Sequence, residues 1–197
     1  LGNLFSVQQA CLFVGLDAEI SNDPAKIAAA DGLILPGVGA FGAAMANLRK
    51  LGIEQILKDK VAAGTPFLGI CLGLQLLFDR SLEDGEHQGL GVISGTVRRF
   101  ELPAEFKIPH MGWNQVSQVV AHPLWAGIAN HAYFYFVHSF FVPKSDCDAV
   151  FGTFDYGVQG CAALAHKNVF ATQFHPEKSH DNGLKLLSNF LRWDGTC

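Results

Sequence analysis

The chain has 197 residues, 49% of them hydrophobic and 16% charged, with a formal net charge of −4. That length suits one domain burying roughly 70% of the surface its unfolded chain would expose, and the composition excludes intrinsic disorder. The weakly acidic balance excludes a broad cationic field for nucleic acid or an anionic membrane, and no apolar run is long enough to span a bilayer.

The pattern along the chain is alternation of short aliphatic runs with amphipathic stretches. Asn3 is placed to cap a helix over Leu4–Leu16, stopped near Gly15 and Asp17. Ala18–Ser21 reads as a short strand. Asn22-Asp23-Pro24 is a helix start, a cap followed by proline in the first turn. Gly32–Leu35 is apolar on both faces, as expected of a buried parallel strand, and it runs into Pro36-Gly37-Val38-Gly39. Helical patterns follow over Phe41–Leu51 and Ile53–Ala63, with Gly64 stopping the second. Pro66–Ile70 is the next buried strand, and Leu72–Asp79 the next predicted helix.

From Gly95 onward the segments become strand-like: Thr96–Phe100, Gln115–Val119, Tyr133–Val137, Val150–Phe154, Ala162–Ala165 and Val169–Phe174. A helix over Gly183–Trp193 closes the chain. Strand–helix alternation implies a mostly parallel central sheet with helices on both faces. The later run of strands adds an antiparallel portion. The expected fold class is thus α/β, in one domain over residues 1–197.

There are five cysteines, with no CxxC spacing, and eight histidines with no HxxxH or HxxH pair. Reduced thiols in a cytoplasmic protein are expected, with no structural metal and no cofactor.

Gly69-Ile70-Cys71-Leu72-Gly73 sets a cysteine between a buried strand and a helix. This is the G-x-nucleophile-x-G elbow, in which glycines let strand and helix pass closely while the central residue is held in strain. A helix N-terminus favours thiolate over thiol at such a position. A cysteine nucleophile needs a base, and the base an orienting partner. Phe174-His175-Pro176-Glu177 supplies both. Pro176 holds His175 extended, and residues two apart in an extended chain face the same side. His175 and Glu177 are therefore placed together at the C-terminal end of a strand, the edge where open α/β sheets carry their sites. Pro36–Gly39 offers inward N–H groups from Val38 and Gly39, and Leu72 offers a second donor. Together they suit the oxyanion formed by attack on an amide. The loop lacks the Lys and Ser/Thr of a phosphate-binding loop. Of the other histidines, His87, His122, His131, His166 and His180 are expected to face solvent, and His110 and His138 to be hydrogen-bonded structural residues.

These motifs together resemble the class I (triad) glutamine amidotransferases, a flavodoxin-like fold, over nearly the whole chain. Within that family, the forms Pro36–Phe41, Pro109–Asn114, Tyr135–Ser139 and Phe174–Ser179 are similar to those of the histidine-biosynthetic members. The resemblance implies a glutaminase with Cys71, His175 and Glu177 as its triad and no cofactor. Gln75, Glu83 and the backbone of Ser139 and Phe140 would hold glutamine. Trp113, Asn3 and Lys178 would lie at or near the face of a (β/α)8-barrel cyclase partner, to which the ammonia passes. The family begins with a buried strand and an aromatic–Gly–x–Gly–Asn turn, of which Leu1-Gly2-Asn3 matches only the end. About nine preceding residues are expected, a strand and its turn. Restoring them is expected to raise the melting temperature. Two other classes fit the elbow alone: a Cys peptidase or γ-glutamyl hydrolase acting by itself, and a scaffold with no turnover.

Overall fold

The computed structural model describes residues 2–196, with side chains from residue 4 onward. Helix α1 spans Gly2–Phe13, so Asn3 falls inside its first turn and not at its cap. Residues 16–23 form no strand. The alternation at Ala18–Ser21 finds no ladder, and the Ala18 carbonyl instead accepts from the Gln8 side chain at 2.8 Å. Helix α2 (Pro24–Ala29) is capped by Asp23, whose carboxylate accepts from the Ala25 N–H. Strand β1 (Leu33–Gly37) is half-buried along its length, because it lies at the edge of its sheet and not inside it.

Helices α3 (Phe41–Lys50) and α4 (Ile53–Ala62) lead to β2 (Phe67–Cys71), which is buried throughout. Helix α5 is only Leu72–Leu76. The apolar run that predicts a longer helix turns instead into β3 (Phe78–Ser81), which pairs with β4 (His87–Gln88) and β5 (Ile93–Arg99). Strands β6 (His110–Gln118), β7 (Ala132–His138), β8 (Phe140–Phe141), β9 (Val150–Asp155), β10 (Gln159–His166) and β11 (Val169–Thr172) follow, and α6 (His180–Arg192) ends the described fold.

The main sheet has seven strands in the order β1-β2-β11-β10-β9-β6-β7, and a second sheet has the order β4-β3-β5-β8. β1, β2 and β11 are parallel, and the pairings from β11 through β7 are antiparallel, so the antiparallel portion is the larger one. Period-two alternation loads both faces. Leu68, Ile70 and Phe170 join one core with Val7 and Cys11 of α1 and Leu186, Leu187 and Phe190 of α6. Phe67, Val169 and Ala171 join another with Phe41, Met45, Ile53 and Leu57 of α3 and α4.

Two parallel ladders set the site. Gly37 sits opposite Cys71 in the β1–β2 register, and β11 runs beside β2 in the same direction. The loop after β1, the nucleophile candidate after β2 and the His-Pro-Glu run after β11 all leave the sheet at one edge. A Cβ on Gly73 would lie 1.7 Å from the Leu35 carbonyl oxygen, a backbone atom that cannot give way. Gly73→Ala is expected to destabilise the chain by at least about 3 kcal/mol or to block folding. Gly32→Ala, which would meet only the Pro66 oxygen at 3.7 Å, should change stability by less than about 1 kcal/mol. Urea melts of the two variants compare them directly.

Candidate active site

Cys71 adopts φ 56° and ψ −107°, a conformation that L-residues seldom occupy, at the junction of β2 and α5. The sequence Gly-Ile-Cys-Leu-Gly makes this possible. Gly69 and Gly73 bring strand and helix so close that a side chain on either would collide. The strain costs about 1–3 kcal/mol and aims the side chain out of the sheet edge.

His175 is extended, at φ −100° and ψ 98°. Residues Pro176–Lys178 then form a 3₁₀ turn, so His175 and Glu177 meet across a tight turn and not along a straight strand. The turn is fixed from three sides. The His175 N–H donates to the Tyr135 carbonyl at 2.9 Å. The Ser179 hydroxyl donates to the His175 carbonyl at 2.6 Å and accepts from the Tyr135 N–H at 3.0 Å. Gly183 lets α6 pack directly on the Pro176 carbonyl.

His175 Nδ1 lies 2.7 Å from Glu177 Oε1, and both side chains are buried. Burial alone would lower the His175 pKa. The Cys71 thiol and the Glu177 carboxylate outweigh it and push it up to about 9. His175 Nε2, at the far end of the ring, makes no hydrogen bond among the described residues. Behind the pair lies Cys11 of α1, its thiol pushed up to about 11 by burial and by the Glu177 charge. That thiol stays protonated and inert.

Of the predicted substrate residues, Gln75 and Phe140 connect to Cys71 through hydrogen bonds. Gln75 is buried in α5, and its Nε2 donates to the Phe140 carbonyl at 2.9 Å and to Gln173 Oε1 at 3.0 Å. The Gln173 Nε2 in turn donates to Cys71 Sγ at 3.7 Å. Gln173 is a residue that sequence reasoning missed, since an amide side chain between strand and turn carries no pattern. Glu83 caps α3, accepting from the Phe41 N–H at 2.7 Å. The Ser139 carbonyl accepts from the Phe100 N–H, and Phe140 opens β8. Leu72 is buried, Val38 is 60% exposed, and Gly39 has φ 96°.

The predicted partner residues lie on an exposed patch. The Trp113 ring stacks on His180 at 5.1 Å, and Lys178 Nζ sits 5.8 Å above the Tyr135 ring. Met111 and Tyr133 are exposed beside them. The side chain of Asn3 lies outside the described residues. His122 corrects the expectation of solvent exposure: it is buried against Phe151, Phe170 and Trp193. Pro123 begins a 3₁₀ turn, and His122 Nδ1 accepts the Leu124 N–H as its cap. Among the described residues no group of three His, Cys, Asp or Glu could hold a metal ion, and no helix is long and apolar enough to cross a membrane.

The family model for glutamine amidotransferase class-I matches residues 4–193. The chain belongs to the class I glutamine amidotransferases. It is 54% identical over 190 residues to "Imidazole glycerol phosphate synthase subunit HisH" of Rhodopirellula baltica, covering 96% of this chain and 92% of that protein. It is 45% identical over 195 residues to the protein of the same name from Acinetobacter baylyi, covering 98% and 95%. In fold it is similar to a crystal structure of a glutamine amidotransferase, with a TM-score of 0.75 and 20% identity over 99% of this chain and 95% of that one. As a class I amidotransferase the chain is a glutaminase-type enzyme, and the α/β architecture is that of its family.

Proposed function

We propose that this chain is the glutaminase subunit of an imidazole glycerol phosphate synthase, hydrolysing L-glutamine to L-glutamate and ammonia through a thioester on Cys71. The observation that carries the reading is the His175–Glu177 pair held at 2.7 Å on the same sheet edge as the strained Cys71. The relatives named above supply the choice of synthase.

In this reading Glu177 accepts the Nδ1 proton of His175, so that Nε2 is the basic nitrogen. Cys71 passes its thiol proton to His175 Nε2, a transfer that the raised His175 pKa favours, and attacks the side-chain amide carbon of glutamine as the thiolate. The oxyanion is held by the N–H of Leu72 and by N–H groups of Val38 and Gly39. Collapse of the intermediate breaks the C–N bond, and His175 protonates the departing ammonia. Water, activated by His175, then releases glutamate from the thioester. Gln75, Glu83 and the backbone at Ser139 and Phe140 hold the amino-acid end of the substrate.

The partner is a (β/α)8-barrel cyclase subunit docked on the face that carries Trp113 and Lys178, with Asn3 near it. Ammonia passes through that barrel to a phosphorylated ribulosyl intermediate in L-histidine biosynthesis. The products are imidazole glycerol phosphate and an aminoimidazole carboxamide ribonucleotide, made in the cytoplasm by a heterodimer. The phosphates bind the partner, and this chain needs no cofactor.

The loop Pro36–Gly39 is the natural control point. Gly39 already occupies positive φ, and a peptide flip there would aim an N–H toward or away from the oxyanion. Losing one such donor costs about 10²–10³ in turnover, so activation of at least about 100-fold by the liganded cyclase is expected. The Michaelis constant should change far less. Glutamate release is measured for the chain alone, with the cyclase, and with the cyclase plus its nucleotide ligand. A free chain as fast as the liganded complex would favour a stand-alone hydrolase.

A further inference from the structure

The Phe140 carbonyl, on the short strand β8, accepts two side-chain donors. One is Gln75 Nε2, and the other is His138 Nδ1 at 2.8 Å. A carbonyl oxygen can only accept, so the proton of His138 is on Nδ1. Burial, with His110 adding to it, pushes the His138 pKa down to about 3, so the ring is neutral and Nε2 is a bare acceptor. His110 Nδ1 lies 3.0 Å from that nitrogen and must therefore donate. His110 is also neutral, its pKa lowered by burial to about 4, which leaves its own Nε2 bare. Asn114 Nδ2 donates to it at 3.2 Å. The same amide nitrogen donates to the Asp155 carbonyl at 2.8 Å, while Asn114 Oδ1 accepts from the Gln115 N–H. The Asn114 amide can therefore be oriented only one way.

Every proton in this row points inward, from Asn114 through His110 and His138 to the Phe140 carbonyl. From that carbonyl, Gln75 and Gln173 carry the contacts on to Cys71 Sγ. Packing locks the rings. His110 lies between Tyr156 and Phe136, stacked at 4.1 and 4.8 Å, each tilted by 22°. The outer end opens on a cavity of about 420 Å³ lined by Met111, Trp113, Asn114 and Asp155.

We propose that His110 and His138 are positioning residues for glutamine turnover, a neutral proton-ordered pair that fixes the Phe140 peptide and, through Gln75 and Gln173, the Cys71 thiol. The order of the protons matters as well as their number. Reversing it would turn His138 Nδ1 into an acceptor facing the Phe140 oxygen, two lone pairs in a buried site. A core contact without this role would not depend on which nitrogen carries hydrogen.

The kinetic arm of the test rests on the glutaminase reading, and the spectroscopic arm does not. Asn114→Asp replaces the outer donor by an acceptor of the same shape and demands a proton on His110 Nε2, which either reverses the row or leaves His110 charged in a buried site; both outcomes break the neutral pair. It is expected to lower kcat/KM for glutamine by tenfold or more in the complex with the cyclase. Asn114→Ala, which removes the donor without reversing the row, should cost less than threefold. Equal losses in the two variants, or an Asp variant within twofold of wild type, would overturn the proposal. Nitrogen-15 NMR of the histidine rings in the wild-type chain provides the second arm. Nδ1–H, neutral, is expected for both His110 and His138 at pH 7, and an Nε2–H form of either would overturn the proposal even if glutamine turnover is normal. A chain with both histidines in the expected form but no glutaminase activity would instead count against the functional reading alone.

Discussion

Cys71→Ala will remove glutamine hydrolysis, with a loss on the order of 10⁴–10⁶-fold, the scale seen when one member of a catalytic triad is deleted. The fold and partner binding should survive, because the elbow is set by Gly69 and Gly73 and not by the thiol. Cys71→Gly separates chemistry from strain. It will be equally inactive, yet more stable than Cys71→Ala by about 1–2 kcal/mol, since only glycine relaxes at φ 56° and ψ −107°. Melting curves of the two variants provide the comparison, and equal stability would show that the turn carries no strain. His175→Ala should be nearly as inactive as Cys71→Ala. Glu177→Gln should lose less, because in the proposed mechanism Glu177 orients the ring while His175 moves the protons. A glutamine-like electrophile should label Cys71, and an adduct on Cys147 or Cys161 would remove Cys71 from the role.

The second large effect is acid unfolding. His110 and His122 are held neutral by burial down to about pH 4, and His138 to about pH 3. In the unfolded chain each titrates near 6.5. Between these values the unfolded chain binds more protons, so stability is present above pH 6.5 and is lost as pH falls toward the folded values. Each histidine contributes about 1.4 kcal/mol per pH unit. Three together approach about 10 kcal/mol by pH 4, against a total stability of about 5–15 kcal/mol. His175 does not oppose this. Its pKa is raised to about 9, so its contribution is complete below pH 6.5 and is lost only as pH rises through 9. Unfolding is therefore expected with a midpoint between about pH 4 and 5.5. His122→Asn keeps the cap on the Leu124 N–H and deletes one titration, so the slope of stability against pH should fall by about one proton in three. Stability constant to within about 1 kcal/mol from pH 6.5 to 4.5 would refute the linkage.

The elbow was readable from sequence because its geometry is written in residue types. Two glycines mark the close approach of β2 and α5, and the cysteine stands between them at the turn. His-Pro-Glu was readable for the same kind of reason, although the 3₁₀ turn that joins His175 to Glu177 was not. Tertiary contacts decided what failed. Leu77 and Phe78 continue an apolar run that suits a helix, but Phe78 pairs with Ile93 and becomes strand. Ala18–Ser21 alternates as a strand should and finds no neighbour. His122 stands next to proline, a surface signal, and is buried because Trp193 and Phe170 close over it. The Gln173–Cys71 and His110–His138 contacts depend on pairings across 102 and 28 residues, which no local pattern records.

The strand order has a consequence for biosynthesis. Among the described strands β11 comes last in the sequence, yet it lies between β2 and β10. Until it emerges, the chain holds two separate half-sheets, each with a raw edge, and the piece that joins them comes only after all of their strands. Closing that gap is a long-range event, slow by nature and open to aggregation while it waits. The strand that closes it also carries His175 to the edge where Cys71 lies. In a nascent chain the proposed site therefore cannot assemble before the sheet is sealed, and proteolysis that strips the segment from β11 onward would remove His175 and open the sheet in one cut.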